Sequence, residues 1–138
     1  MEINLIGIVS AFITFFGVWM GHVMVRKIER ETADLRIPIG IFLVLGLGFA
    51  ALSLLTPNLI LSAASGIFAM TLVWDSHEFS RQQKRVKRGR APANPNNPRH
   101  AKILAEYPEA TTFNWLHRDP RGSAYSIAEL ASMKEGAK

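Results

Sequence analysis

The sequence predicts an all-α membrane protein: three transmembrane helices, N-terminus out and C-terminus in, with a basic, partly extended cytoplasmic tail. Three observations carry this expectation. Residues 1–76 are apolar almost without a break, interrupted by one short charged stretch, whereas a water-soluble core would spread its apolar positions at helix or strand period. Residues from about 77 onward turn polar, basic and rich in Pro and Asn. Lys and Arg are absent from residues 1–25 and 37–80, a distribution expected where lipid selects against charge and cytoplasmic loops collect it. The organisation expected is a transmembrane domain over 1–76, a basic juxtamembrane helix and Pro/Asn-rich spacer over 77–98, and a tail with short helices over 99–138.

The first span is expected from about Ile3 to Val25, long enough at 1.5 Å per residue to cross roughly 30 Å of hydrocarbon. Its opening Met1-Glu2-Ile3-Asn4 has no positive n-region, so it reads as a retained helix rather than a secretory signal. The second span is expected from about Ile37 to Thr56, with Pro38 tolerated in its first turn. The third runs from about Asn58 to Trp74, and Thr56-Pro57-Asn58 is the tight turn that makes the last two an antiparallel hairpin.

Orientation follows from the loops. Arg26, Lys27, Arg30 and Arg36 flank the first loop, and Arg81, Lys84, Arg85, Lys87, Arg88 and Arg90 follow the third span. The positive-inside rule puts both stretches on the cytoplasmic side. The same rule accounts for the net charge of +5, so nucleic acid is not an expected partner. There is no Cys, which excludes disulfides, thiolate metal sites and Cys nucleophiles.

Small residues recur at helical spacing on the first span, at Gly7, Ser10, Thr14, Gly17 and Gly21, and on the third, at Ser62, Gly66 and Ala69. Such stripes let helix backbones approach closely where lipid supplies little hydrophobic drive. They serve packing within this bundle or docking against a neighbouring subunit.

Ionisable groups at membrane depth are candidates for function. His22, Arg26 and Glu29 share one face of the first helix, and Trp74, His77, Glu78 and Arg81 cluster on the third. The plain reading pairs Glu29 and Glu78 with neighbouring cations while the histidines hydrogen-bond at the interface. A second has His22 and His77 ligating a b-type haem or flanking a quinone near the cytoplasmic surface. A third gives His and carboxylate groups a divalent metal, but no spacing such as His-Glu-x-x-His supports it, so no metal is expected.

Two local patterns are similar to a family of small bacterial three-helix membrane proteins catalogued as a domain of unknown function. That family typically ends its first helix in His-Pro-x-Val-x-Lys-x-Glu, matched here at His22, Val25, Lys27 and Glu29, with Val23 in place of Pro. Its third helix typically ends in Leu-Trp, then Glu, a Gln-x-x-Arg-Val run and a Gly-x-x-Pro-x-Asn-Pro tail. Here these are Leu72-Val73-Trp74, Glu78, Gln82 to Val86, Gly89, Pro92 and Asn94-Pro95, with Arg90 where Trp is frequent. The resemblance covers about residues 3–98 and implies the three-span topology in a bacterial inner membrane, but no activity.

Residues 77 to 88 are expected to continue the third helix. Their cations are attracted to anionic lipid at about 1 kcal/mol each, or else meet an acidic protein surface. Ala91 to Pro98 reads as an extended spacer, because each Pro removes a donor and restricts its predecessor. Ala101 to Glu106 predicts a short helix, Asp119-Pro120-Arg121-Gly122 a turn, and Ser126-Ile127-Ala128-Glu129 a capping box opening a helix that stops at Gly136. Phe113, Trp115 and Leu116 are aromatic and apolar anchors of the kind that fill a partner's pocket. The expected function is a non-catalytic accessory or anchor subunit, packing by its helices against larger membrane subunits and clamping a cytoplasmic protein subunit with its tail. The alternative is a redox subunit holding haem or quinone. No nucleophile with its base and no phosphate-binding loop suggests an enzyme.

Overall fold

The computed structural model describes residues 4–115 and 125–136. Five helices follow in order: α1 Leu5–Glu31, α2 Arg36–Leu55, α3 Leu59–Lys87, α4 Pro98–Glu106 and α5 Ile127–Gly136. No strand occurs among the described residues. The first three helices are long and apolar enough to cross a membrane. Many large apolar side chains on them lie exposed, Phe15, Val44, Leu54 and Leu59 among them, as lipid-facing surface requires.

α1 and α3 outrun the apolar runs that announced them. The sequence places the membrane edge near Val25 and Trp74, yet α1 continues to Glu31 and α3 to Lys87. Arg, Lys, Gln and Glu are good helix formers, so a span's edge is not its helix's end. The turn between α2 and α3 is the expected one, and Asn58 caps α3 by accepting from the backbone N–H of Ile60 and Leu61 at 3.0 and 3.1 Å.

The chain divides into two compact units: residues 1–29 with 34–80, and residues 30–33 with 81–138. In the first, α1 and α3 run parallel. Gly17 stands against Thr71 and Phe68, and one α1 turn on, Gly21 stands against Asp75. α2 runs antiparallel to α3: a Cβ on Gly46 would lie 2.8 Å from Val73 and 3.2 Å from the Ala69 carbonyl, and one on Gly66 2.9 Å from Ser53 Oγ. Beside the turn the serines exchange bonds, Ser53 Oγ donating to the Ser62 carbonyl at 2.8 Å and Ser62 Oγ to the Ser53 carbonyl at 2.7 Å. Val25, Leu35, Phe42, Leu72 and Phe79 form the buried apolar cluster, with Phe42 edge-on to Phe79 at 5.2 Å.

In the second unit the Pro/Asn-rich spacer is packed. Ala91, Ala93, Asn94 and Asn97 are buried, and Ala91 and Ala93 join Val86, Ile103 and Ala110 in a small core. Pro92 and Pro95 keep this stretch out of helix and Pro98 opens α4, but none of them prevents packing. α3 ends at Gly89 (φ 64°), where Arg90 N–H bonds the Arg85 carbonyl at 2.9 Å and Gly89 N–H that of Val86 at 3.0 Å, a Schellman close that favours glycine. The Asn97 amide donates to the carbonyls of Arg30 and Thr32 at 2.9 and 3.0 Å, while its Oδ1 caps α4 by accepting from Arg99 N–H. Asn94 Nδ2 reaches the Arg30 carbonyl and Glu31 Oε2, each at 3.3 Å. The α1–α2 loop is thus latched by residues more than sixty positions downstream.

Candidate functional site

Between α1 and α3 lies a cavity of about 650 Å³, bordered by Val18 and His22 from α1 and by residues from Gly66 to His77 of α3. Its walls are mostly apolar, with Ile67, Met70 and Trp74 prominent. Its polar groups are His22, Thr71, Asp75 and His77. Thr71 Oγ1 is occupied, donating to the Ile67 carbonyl one turn back at 3.0 Å.

The two histidines singled out in the sequence therefore meet at one cavity. Both are exposed on the protein surface, and the His77 ring contacts the Trp74 indole at 6.3 Å between centroids. Glu29 and Glu78 are instead buried, 1% and 2% exposed, and neither borders the cavity. Among the described residues no group of three His, Asp or Glu side chains could hold a metal ion.

The residue that sequence reasoning passed over is Asp75. It is 5% exposed, borders the cavity and lies within electrostatic reach of His22 and Glu78. Gly21 is what admits it. A Cβ at position 21 would collide with the Asp75 carboxylate, so α1 passes over the acid with bare backbone. The signal was present in the sequence as a glycine in the α1 stripe at the depth of an acid on α3. Asp75 was hidden by standing between Trp74, taken as the end of the span, and the more conspicuous His77.

The small-residue positions divide. Gly17 and Gly21 are buried against α3, and Ser62 and Gly66 meet α2. Gly7 and Thr14, which continue the α1 stripe, are exposed, and Ser10 is half-buried. Thr14 Oγ1 bonds back to the Ser10 carbonyl at 2.8 Å, and Gly7 N–H is capped by Asn4 Oδ1 at 3.1 Å.

Of the basic residues, Arg81, Lys84, Arg88 and Arg90 are exposed and Arg85 and Lys87 half-buried. Arg85 donates to Gln82 Oε1 at 2.9 Å, and Lys87 Nζ to the Tyr107 hydroxyl at 2.9 Å. Phe113 and Trp115 meet edge-to-face at 4.8 Å, and Trp115 Nε1 donates to the Gly89 carbonyl at 3.1 Å. Leu116 and the turn at 119–122 lie outside the described residues. The capping box of α5 is present, Ser126 N–H and Oγ donating to Glu129 Oε2 at 2.7 and 2.8 Å. These hydrogen bonds hold the exposed Glu129 carboxyl below its ordinary value of 4.5.

A family model described as a domain of unknown function (DUF4491) matches residues 4–97. No curated protein and no solved structure matches the chain.

Proposed function

Because the chain belongs to the DUF4491 family, whose description carries no activity, we propose its role from the geometry: a non-catalytic accessory subunit that packs against larger membrane subunits. The observation that supports this is the divided stripe on α1. One end, Gly17 and Gly21, is consumed by α3. The other, Gly7 and Thr14, presents the same close-packing surface with no described helix of this chain against it. Close backbone approach is a main source of helix association in lipid, so a further helix from another subunit completes the stripe. The same reading puts the protein in the bacterial inner membrane with its C-terminus in the cytoplasm, where the tail's exposed Arg81, Lys84, Arg88 and Arg90 meet anionic lipid or a cytoplasmic subunit.

Replacing Gly7 and Thr14 together by Leu fills that surface without touching α3. The variant is expected to lose its copurifying membrane subunits in mild detergent while keeping its helical content. An unchanged set of copurifying proteins sinks the proposal. A reporter fused after Lys138 tests the orientation, which fails if the reporter lies outside. His22 and His77 on one cavity favour a second reading, a redox subunit carrying b-type haem or quinone. A Soret band in the purified protein would put a haem subunit in its place.

A further inference from the structure

We propose that the cavity bordered by Lys84, Lys87 and Arg88 seats the headgroup phosphate of one anionic phospholipid. The inference rests on the reading that the basic end of α3 meets anionic lipid, and gives that attraction a single built seat.

The cavity, about 540 Å³, is bordered by these three residues and by Tyr107, Pro108 and Glu109 just after α4. Positions 84, 87 and 88 are three and four apart, so one helix face brings the cations together. Lys87 is held in place: its Nζ donates to the Tyr107 hydroxyl at 2.9 Å and lies 4.6 Å from the centre of that ring. An ammonium carries three donors, so the Tyr107 hydroxyl leaves two for a ligand. Three cations border the cavity with one carboxylate, that of Glu109, and none of the three pairs with an acid among the described residues. The negative end of the helix dipole favours any nearby cation, Arg90 included, so it does not explain why three meet at one cavity.

Depth selects the ligand. α3 is one helix of 29 residues, about 43 Å long at 1.5 Å per residue. Hydrocarbon spans about 30 Å, and the bilayer with its headgroups roughly 40–45 Å, so the last turns of α3 reach the layer of phospholipid phosphates. Helical side chains lean toward the N-terminus of their helix, which on α3 points Lys84 and Lys87 back toward the bilayer. The volume falls in the range of organic-ligand sites, roughly 300–1,000 Å³, more than a bare phosphate ion fills. Pro108 and the Tyr107 ring offer surface to the carbons of a glycerol headgroup.

The probe is phosphatidylglycerol, titrated into the full chain in detergent and counted by native mass spectrometry. About 0.15 M ammonium acetate screens charges beyond roughly 8 Å. One saturable lipid is expected, bound more tightly than phosphatidylcholine. Lys84→Gln should weaken it about five-fold, and Lys84→Gln with Arg88→Gln about thirty-fold. Arg81→Gln with Arg90→Gln removes the same charge from outside the cavity and should leave binding nearly unchanged. A loss in that pair equal to the loss in the cavity pair overturns the seat while leaving a diffuse attraction to lipid standing. Equal binding of phosphatidylcholine overturns both. Displacement of the lipid by soluble glycerol 3-phosphate also overturns the proposal, since the site would then take a free phosphate. Circular dichroism reports whether each variant folds, and should the cavity pair fail to fold, the two wild-type comparisons still decide. The copurification test of the accessory role reads proteins rather than lipid, so either can fail alone.

Discussion

The two units of this protein solve the same problem, holding chain segments together, with opposite materials. In the unit of 1–29 and 34–80, helices meet through what their side chains lack: Gly17, Gly21, Gly46 and Gly66 bring backbones together, and the Ser53–Ser62 pair adds a reciprocal polar contact. In the unit of 30–33 and 81–138, segments meet through what side chains supply. Asn94 and Asn97 reach loop carbonyls, Trp115 bonds the Gly89 carbonyl, and the apolar core is mostly alanine. Lipid already satisfies apolar surface, so close approach is what remains to be gained there. A small water-exposed unit cannot bury enough carbon to hold itself, so it satisfies backbone groups with amides instead.

The contrast yields expectations that differ by region. The largest falls at the junction where α3 closes. Gly89→Val puts a β-branched residue at φ 64° and drives its Cβ into the Glu109 carbonyl. Together these should cost about 3 kcal/mol, read as faster amide exchange over 91–111 while amides of α1 and α2 keep their protection. Equal loosening in both units would erase the distinction drawn between them. Next comes Asn97→Ala, which removes two loop hydrogen bonds and a helix cap and should destabilise the second unit by about 2 kcal/mol. A change within error would mean the loop carbonyls are served equally well by water.

The membrane-crossing unit should feel its polar contact far less. A double-mutant cycle of Ser53→Ala and Ser62→Ala should give a coupling of about 0.6 kcal/mol, and a value rivalling Asn97→Ala would show that hydrogen bonds also organise that unit. Smallest is the effect of acid on α5. The Ser126 bonds lower the Glu129 pKa in the folded chain, so their stabilisation is fully present above the ordinary 4.5 and is lost as pH falls through the lowered folded value. Fraying of the first turn of α5 in acid, abolished in Glu129→Gln, is the expected NMR signature; a pH-independent turn contradicts it.

How much of this was legible follows the same division. Apolar runs of membrane length announced α1, α2 and α3, because hydrophobicity is a local property that a window reads directly. The Ser126–Glu129 box was legible for the same reason, both partners lying within one turn. Asn94 and Asn97 were read only as neighbours of Pro, since the carbonyls they serve at Arg30 and Thr32 belong to a distant stretch with no pattern of its own. Asp75 was missed likewise: its meaning comes from Gly21 on another helix. His22 and His77 were found because imidazoles at that depth are conspicuous alone, but that they share a cavity needed the parallel register of α1 and α3.

The latch on the first loop also has a consequence for biosynthesis. Arg30 leaves the ribosome 67 residues ahead of Asn97, an interval of roughly 3–13 s at common elongation speeds. Throughout that time the carbonyls of Arg30 and Thr32 have only water or translocation machinery for company. The loop at residues 30–32 is therefore latched only after all three spans have been synthesised, leaving a window in which they can reorient before that latch closes.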